Sequence, residues 1–476
     1  MKTFWAAIVL GLAVRLACLP LPGTHDIAVW KIWSYVTASE GIGRLYGVGG
    51  QPLERRLVSF HGAETTVDYP PLALAEIGLA GRAYKSLTRG RYWDDTRLIV
   101  AVKVPTLLAD AGLLALLYWT VRRFAGERRA RWAAIAYWLN PAIVIDGAML
   151  GYLDPLFMLP MAGAIVAAAM DSPVVAGGLT AAAMLTKPQA IVVAPAIALL
   201  TLGAGGGGGM VGGVFSASTG GGSWSLVRPW LRPGLIRSLA AGAAAVIVGG
   251  VIISPVVIAG GLPNMLNAFE RLGHHDMLSG NTCNVWWIVG YVLRAIYSAH
   301  DMGVWKAFTT PTKILQISRV LELGYPNPRV IGTVGVAAAF AWALWTGRHT
   351  RDLWMASALT AFLVHAYVTL SAQVHENHLY AAIPLLVVAA AGRPRFTSVL
   401  VALSAIFALN LNLFYGISED IGYALPRTLT IIDATVVLSV VNCAALVWHG
   451  SVLRREAGAD AHLPALARLP AELAGP

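Results

Sequence analysis

The sequence predicts an all-α polytopic membrane protein of about a dozen transmembrane helices, and three observations carry that reading. Hydrophobic residues make up 57% of the chain and charged residues only 13%, against roughly a quarter charged in soluble domains. Apolar runs such as 132–150, 236–259, 354–371 and 428–448 approach or exceed the roughly 20 residues that cross a bilayer as a helix. The runs do not alternate polar with apolar, as strands of a transmembrane barrel would.

The net charge of +10 does not point to a nucleic-acid partner, because the basic residues sit between the apolar runs, where the positive-inside rule puts them. Three cysteines, Cys18, Cys283 and Cys443, form neither a disulfide framework nor a metal-ligand spacing. Residues 1–22 resemble a signal peptide, but Arg15 interrupts the apolar run and no small-residue cleavage site follows. Cys18 makes no lipoprotein box for the same reason, so the segment reads as a retained first helix.

In chain order the predicted helices are about 3–19, 97–120, 132–150, 155–170, 174–187, 188–202, 237–259, 329–346, 354–371, 377–391, 397–416 and 428–449. The fourth to sixth are short, the fifth and sixth being divided at Pro188. The densest short basic loop, Arg122-Arg123 through Arg128-Arg129-Arg131, is placed in the cytoplasm. Alternation then puts Arg228–Arg237, Arg348–Arg351, Arg393–Arg395, Arg454-Arg455 and both termini there too. Four regions result: an N-terminal transmembrane module, 1–202, with a first external loop at 20–95; a glycine-rich cytoplasmic linker, 203–235; a C-terminal transmembrane module, 236–450; and a cytoplasmic tail, 451–476.

The same alternation gathers the remaining polar motifs on the external face. Ionisable groups at membrane depth are costly and usually functional. His25-Asp26 precedes a segment, Ile27 to Ser39, with two tryptophans a turn apart, which reads as an amphipathic helix in the headgroup layer. Asp26 is then either a simple N-cap or a functional carboxylate. Asp68-Tyr69-Pro70-Pro71 is either a stiff turn or a rigid display of Asp68 and Tyr69 at a helix entrance. Asp154 follows Gly151-Tyr152-Leu153 and either caps the fourth helix or faces a site, with Asp146 one to two turns earlier. Lys187, before Pro188-Gln189, either snorkels to the interface or serves as a compact cation for phosphate. His375-Glu376-Asn377-His378 raises a metal possibility, but the spacing is not that of a zinc helix and no third ligand is evident. His274-His275-Asp276 reads most simply as a loop.

Taken in order, Asp26-Ile27-Ala28-Val29-Trp30-Lys31-Ile32-Trp33, Val67-Asp68-Tyr69-Pro70-Pro71-Leu72, Leu139-Asn140-Pro141-Ala142 to Asp146, Gly151-Tyr152-Leu153-Asp154, Leu185-Thr186-Lys187-Pro188-Gln189 and Val374-His375-Glu376-Asn377-His378 resemble the GT-C superfamily of integral membrane glycosyltransferases. The nearest likeness is to dolichyl-phosphate-glucose glucosyltransferases and bacterial polyprenyl-phosphate mannosyltransferases. The resemblance spans residues 1–392, with departures at Asn377, at Tyr152 and in the glycine-rich linker. It implies two external juxtamembrane helices in the first loop, matched by 27–36 and 72–84, and a loop-one general base, matched by Asp26. It implies an inverting hexosyltransferase of the external face of the plasma membrane. The donor is a polyprenyl-phosphate sugar and the acceptor a glycan or lipid-linked glycan, with mannose favoured over glucose by resemblance alone.

On this reading the catalytic carboxylates are Asp26 and Asp68, and the donor-binding set is Arg15, Tyr69, Asp154, Lys187, Gln189, His375 and Glu376, with His378 a further candidate. The leaving group is a phosphate monoester, so cations and hydrogen-bond donors suffice to stabilise it and no metal or other cofactor is expected. The rival readings are a multi-pass transporter or flippase, for which no internal repeat is evident, an oligosaccharide polymerase or ligase, and a structural scaffold.

Overall fold

A computed structural model describes residues 2–47, 57–203, 231–272, 274–350, 352–422, 424–427 and 432–466. Most of the glycine-rich linker and the end of the tail lie outside these residues.

Helices occupy all twelve predicted positions. They are α1 (Lys2–Cys18), then the loop-one helices α2 (Asp26–Glu40), α3 (Ile42–Leu45) and α4 (Pro71–Leu87), then α5 (Thr96–Ala125) and α6 (Glu127–Trp138). A short α7 (Pro141–Ile143) runs into a π-helical segment, Val144–Leu150, before α8 (Asp154–Ala169) and α9 (Pro173–Thr186). A 3-10 turn, Pro188–Val193, leads into α10 (Ala194–Gly203), and α11 (Leu231–Ile258) opens the second half. There α12 (Leu262–Leu272), α13 (Val285–Met302), α14 (Val304–Thr309) and α15 (Ile317–Glu322) form a long insertion before α16 (Pro328–Thr346) and α17 (Leu353–Leu370). A 3-10 turn, Glu376–Ala381, precedes α18 (Ala382–Gly392), followed by α19 (Phe396–Tyr415) and α20 (Ala434–Leu466). The last helix continues well past the predicted 449.

Among the described residues six helices are long and apolar enough to cross a membrane alone, and the pair 127–138 and 141–150, bent by 46°, makes a seventh if taken as one span. The chain is an integral membrane protein, but a count of a dozen full spans is not reached by length. The cause is local. Polar breaks at Asn140-Pro141, Asp154-Pro155, Lys187-Pro188 and Glu376 cut apolar runs, because proline cannot donate to the preceding turn. The helices Asp154–Ala169, Pro173–Thr186 and Pro188–Gly203 are left short.

Loop one differs most from expectation. Ile27, Trp30, Ile32, Trp33 and Val36 of α2 are buried in one core with Leu74 and Ile77 of α4 and Leu98 and Val102 of α5. Thus the apolar face of α2, with both tryptophans, is covered by protein. Its second cover is an antiparallel hairpin, Val58–Phe60 with Ala63–Thr65, absent from the sequence reading. That hairpin turns through His61 (φ 51°) and Gly62 (φ 83°), the left-handed pair that a two-residue loop demands.

Candidate functional site

Asp26 is the first residue of α2, and His25 holds the cap position without a capping side-chain bond. Among the described residues no group hydrogen-bonds the Asp26 carboxylate, so the simple N-cap reading does not describe it. The segment is fixed from below instead. Thr24 N–H donates to Leu150 O at 3.1 Å, and the Trp30 indole donates to Gly151 O at 3.1 Å. Gly151 takes φ +81°, and a Cβ there would strike Ile27 and Lys103.

Beneath this contact is Lys103, 1% exposed, in the first third of α5. Its ammonium donates to Leu21 O and Met149 O, both at 2.8 Å, and to Ala148 O at 3.2 Å. It thereby caps carbonyls at the end of the π-helical segment, where the dipole is negative, and ties them to the start of loop one. A lone lysine between Val102 and Val104 was the available signal for it.

The π-helical segment carries Asp146 into the interior, where it is fully buried. Such segments are rare and cluster at functional sites. Both Asp146 carboxylate oxygens are buried without a hydrogen-bond partner among the described residues. Asp154 accepts from Lys187 Nζ at 2.7 Å and from Asn377 Nδ2 at 2.8 Å. Glu376 accepts from the hydroxyls of Tyr152 and Tyr415, the latter at 2.9 Å, and its second oxygen is buried and unpartnered, as are Gln189 Nε2 and His378 Nδ1. Tyr69 packs against Trp30 and Trp33, with ring centroids 5.2 and 5.3 Å away. It lies within electrostatic reach of Asp26, Asp154, Asp68 and Asp146.

Burial raises Asp26 to about 6; Glu376 and Glu419 push the same way, while Lys187 and His25 oppose them. Burial likewise raises Asp68 to about 6, with Asp26 adding to it and Arg271 opposing. Two carboxylates near neutrality, one of them without a hydrogen bond, are suited to accept a proton.

The structure therefore gathers Asp26, Asp68, Tyr69, Asp154, Lys187 and Glu376, with Gln189 two residues after Lys187. His375 stands at the edge, its ring 5.5 Å from that of His275 and 5.8 Å from that of His378. Its strand is held by Gly280 N–H to Val374 O at 2.9 Å and Glu376 N–H to Gly280 O at 3.1 Å. Asp276 is a loop staple, accepting from Ser318 N–H at 2.8 Å and its hydroxyl at 2.6 Å. Among the described residues no three His, Cys, Asp or Glu side chains converge as metal ligands.

Arg15 is placed elsewhere. Its guanidinium is wholly buried, donates to Asp110 at 2.6 Å and Trp138 O at 2.7 Å, and stacks on the Trp138 ring at 3.6 Å. Asp110 in turn accepts from Tyr137, which bonds Tyr380 at 3.0 Å. This buried network commits the Arg15 charge to Asp110 and away from a donor phosphate.

Sequence reading missed Lys103, Tyr415, Arg271 and Glu419. Glu419 accepts from His25 N–H at 2.8 Å, and its own N–H donates to Gly23 O at 3.1 Å. Its only signal was an acidic pair in a short loop after the eleventh predicted helix.

No family model matches the chain, and no curated protein matches it. Solved structures similar in shape include two crystal structures. One is the crystal structure of ArnT from Cupriavidus metallidurans in the apo state, with a TM-score of 0.47 and 14% identity, over 96% of this chain and 78% of that one. The other is the crystal structure of the Archaeoglobus fulgidus oligosaccharyltransferase tethered to an acceptor peptide, with a TM-score of 0.40 and 12% identity, over 96% of this chain. This chain spans 55% of the length of that transferase.

Proposed function

We propose that the chain is a GT-C type glycosyltransferase that moves a hexose, mannose or glucose, from a polyprenyl phosphate to a hydroxyl of a glycan or lipid-linked acceptor. The reaction takes place at the loop-one end, on the external face of the plasma membrane. The observation that carries the reading is Asp26, a partly exposed carboxylate raised to about 6 and left without a hydrogen bond beside Lys187, Glu376 and Tyr69. The ordered motifs quoted above supply the reaction class.

In the proposed step Asp26 accepts the proton of the acceptor hydroxyl. The acceptor oxygen forms its bond to the anomeric carbon as the bond from that carbon to the phosphate oxygen breaks. Polyprenyl phosphate leaves with the bonding pair, and attack opposite the leaving group inverts the anomeric centre. Lys187 spends one N–H on Asp154, which orients it and leaves its other donors for the phosphate. Gln189 Nε2, buried and unpartnered, is a second donor. Glu376, held by two tyrosines, sets the field around Asp26, and Asp68 supports it from the loop-one side. One phosphate needs less charge compensation than two, so the step needs no metal.

The test is release of labelled sugar from a lipid monophosphate donor by purified protein. Wild type is expected to break the sugar–phosphate bond and Asp26→Asn to lose that activity. A wild-type turnover in Asp26→Asn would overturn the base assignment, and an intact donor in the wild type would favour a transporter.

A further inference from the structure

Helix α12 is amphipathic and follows α11 through Gly260 and Gly261. Its Met265 is buried in the loop-one core, and its Asn264 donates to Tyr46 O at 2.8 Å. The Tyr46 hydroxyl in turn donates to Tyr69 O at 2.5 Å. The second half of the chain is thus docked beside the Asp68-Tyr69 turn, and the last turn of α12 carries Arg271 toward Asp68, whose charge it feels.

Arg271 is incompletely used. Its Nε and Nη2 atoms are buried and have no hydrogen-bond partner among the described residues. These two atoms form one edge of the guanidinium, a pair of parallel N–H donors that matches two oxygens of a single phosphate. A buried donor edge left unmade is unfavourable, so the position favours a ligand that completes it.

The surroundings select the ligand. Asp26, Asp68, Asp146, Asp154 and Glu376 lie near one another, and the lysine among them, Lys187, is already bonded to Asp154. A phosphate entering such a field needs a second cation. Next to α12, the end of α11 and the outer side of α12 present Val257, Ile258 and Leu266, which are 48%, 85% and 54% exposed. An apolar tail would lie along these while its phosphate reaches Arg271.

We propose that the Nε–Nη2 edge of Arg271 binds the phosphate of a membrane lipid, and that this lipid is the polyprenyl phosphate carrier rather than a bulk phospholipid. The phosphate chemistry stands on Arg271 itself; the choice of carrier rests on the glycosyltransferase reading.

The experiment measures binding of farnesyl phosphate, farnesol and phosphatidylglycerol to the full-length protein in detergent, without any transfer reaction. Arg271→Ala and Arg271→Gln are expected to weaken farnesyl phosphate binding about tenfold or more, as loss of a charge-assisted pair should, and to leave farnesol binding unchanged. Arg271→Lys, which keeps the charge and loses the fork, should fall between. Wild-type affinity for farnesyl phosphate in both Arg271→Ala and Arg271→Gln overturns the proposal. So does an equal loss of farnesol binding, which would mark a packing role. Weakened phosphatidylglycerol binding with farnesyl phosphate unaffected overturns the carrier assignment. Asp26→Asn keeps farnesyl phosphate binding, so a failed base assignment and a failed phosphate site give different results.

Discussion

The carboxylates gathered around Asp26 are treated differently from those at the other end of the helix bundle. At the end predicted to be cytoplasmic, acids are answered by arginines. Glu127 pairs with Arg122 at 3.0 Å and Arg131 at 2.8 Å, Asp171 with Arg237 at 2.8 Å, Asp352 with Arg393 at 2.9 Å and Glu456 with Arg395 at 2.7 Å. At the loop-one end surface acids are paired too, Asp94 with Lys31 and Asp95 with Arg97, both at 2.6 Å, but Asp26, Asp68, Asp146 and Glu376 have no lysine or arginine within ion-pair distance among the described residues, and the buried pair beside them is Lys187–Asp154. Arginine-rich loops orient the helices in the bilayer, and paired acids do not disturb that work. A base requires a carboxylate whose charge is not already neutralised. On the proposed reading, the difference separates the part of the molecule that sets topology from the part that would carry the chemistry.

Exchanging one acid at each end breaks or confirms that division most directly. Asp26→Asn is expected to lower turnover by at least about a hundredfold, the usual minimum for removing a general base, while leaving detergent-extracted protein folded. Glu127→Gln, at a side chain 38% exposed, should change neither turnover nor melting temperature measurably, since exposed pairs contribute little. Comparable losses in the two variants would erase the distinction.

The next largest effect concerns Lys187. Breaking a buried pair leaves an uncompensated charge, which costs about 3–5 kcal/mol. Lys187→Ala should therefore lower the melting temperature as well as raise the KM for the donor. Adding Asp154→Asn should recover much of the stability and none of the donor affinity. Recovery of both would make Lys187 a purely structural cation. Arg237→Ala, at the other end, should do neither.

How much of this was legible beforehand depends on how local the cause is. Helix positions follow from unbroken apolar runs, and the ends at Pro155 and Pro188 follow from proline chemistry, so both could be read, whereas the helix predicted over 132–150 runs through the break at Asn140-Pro141. Asp26, Asp68-Tyr69 and Lys187-Pro188-Gln189 were legible as polar breaks at helix ends. Arg15 was misplaced because its partner, Asp110, is 95 residues away inside an apolar run. The cover on α2 was missed because it comes from a hairpin with weak strand signals, and Lys103 because its partners are backbone carbonyls, which no side-chain pattern announces. Arg271 lay in a polar insertion whose docking on Tyr46 is tertiary.

A smaller effect tests the electrostatics of the loop-one end alone. Asp26 must be ionised to act, so kcat/KM should rise with pH through about 6 and level off above it. Glu376 raises Asp26, so Glu376→Gln should move that limb to lower pH even as it alters donor handling. An unmoved limb would assign the titration to another group. Stability has the opposite slope. Asp26 and Asp68 are both raised from 3.8 to about 6 in the folded protein. The folded state then holds protons that the unfolded state has released, and their contribution is full below about 4 and lost as pH rises through 6. Melting temperature should fall over that window in the wild type and fall less in Asp68→Asn. The arginine end supplies the control: Glu127 is partly exposed and paired with Arg131, and Glu127→Gln should not flatten the decline.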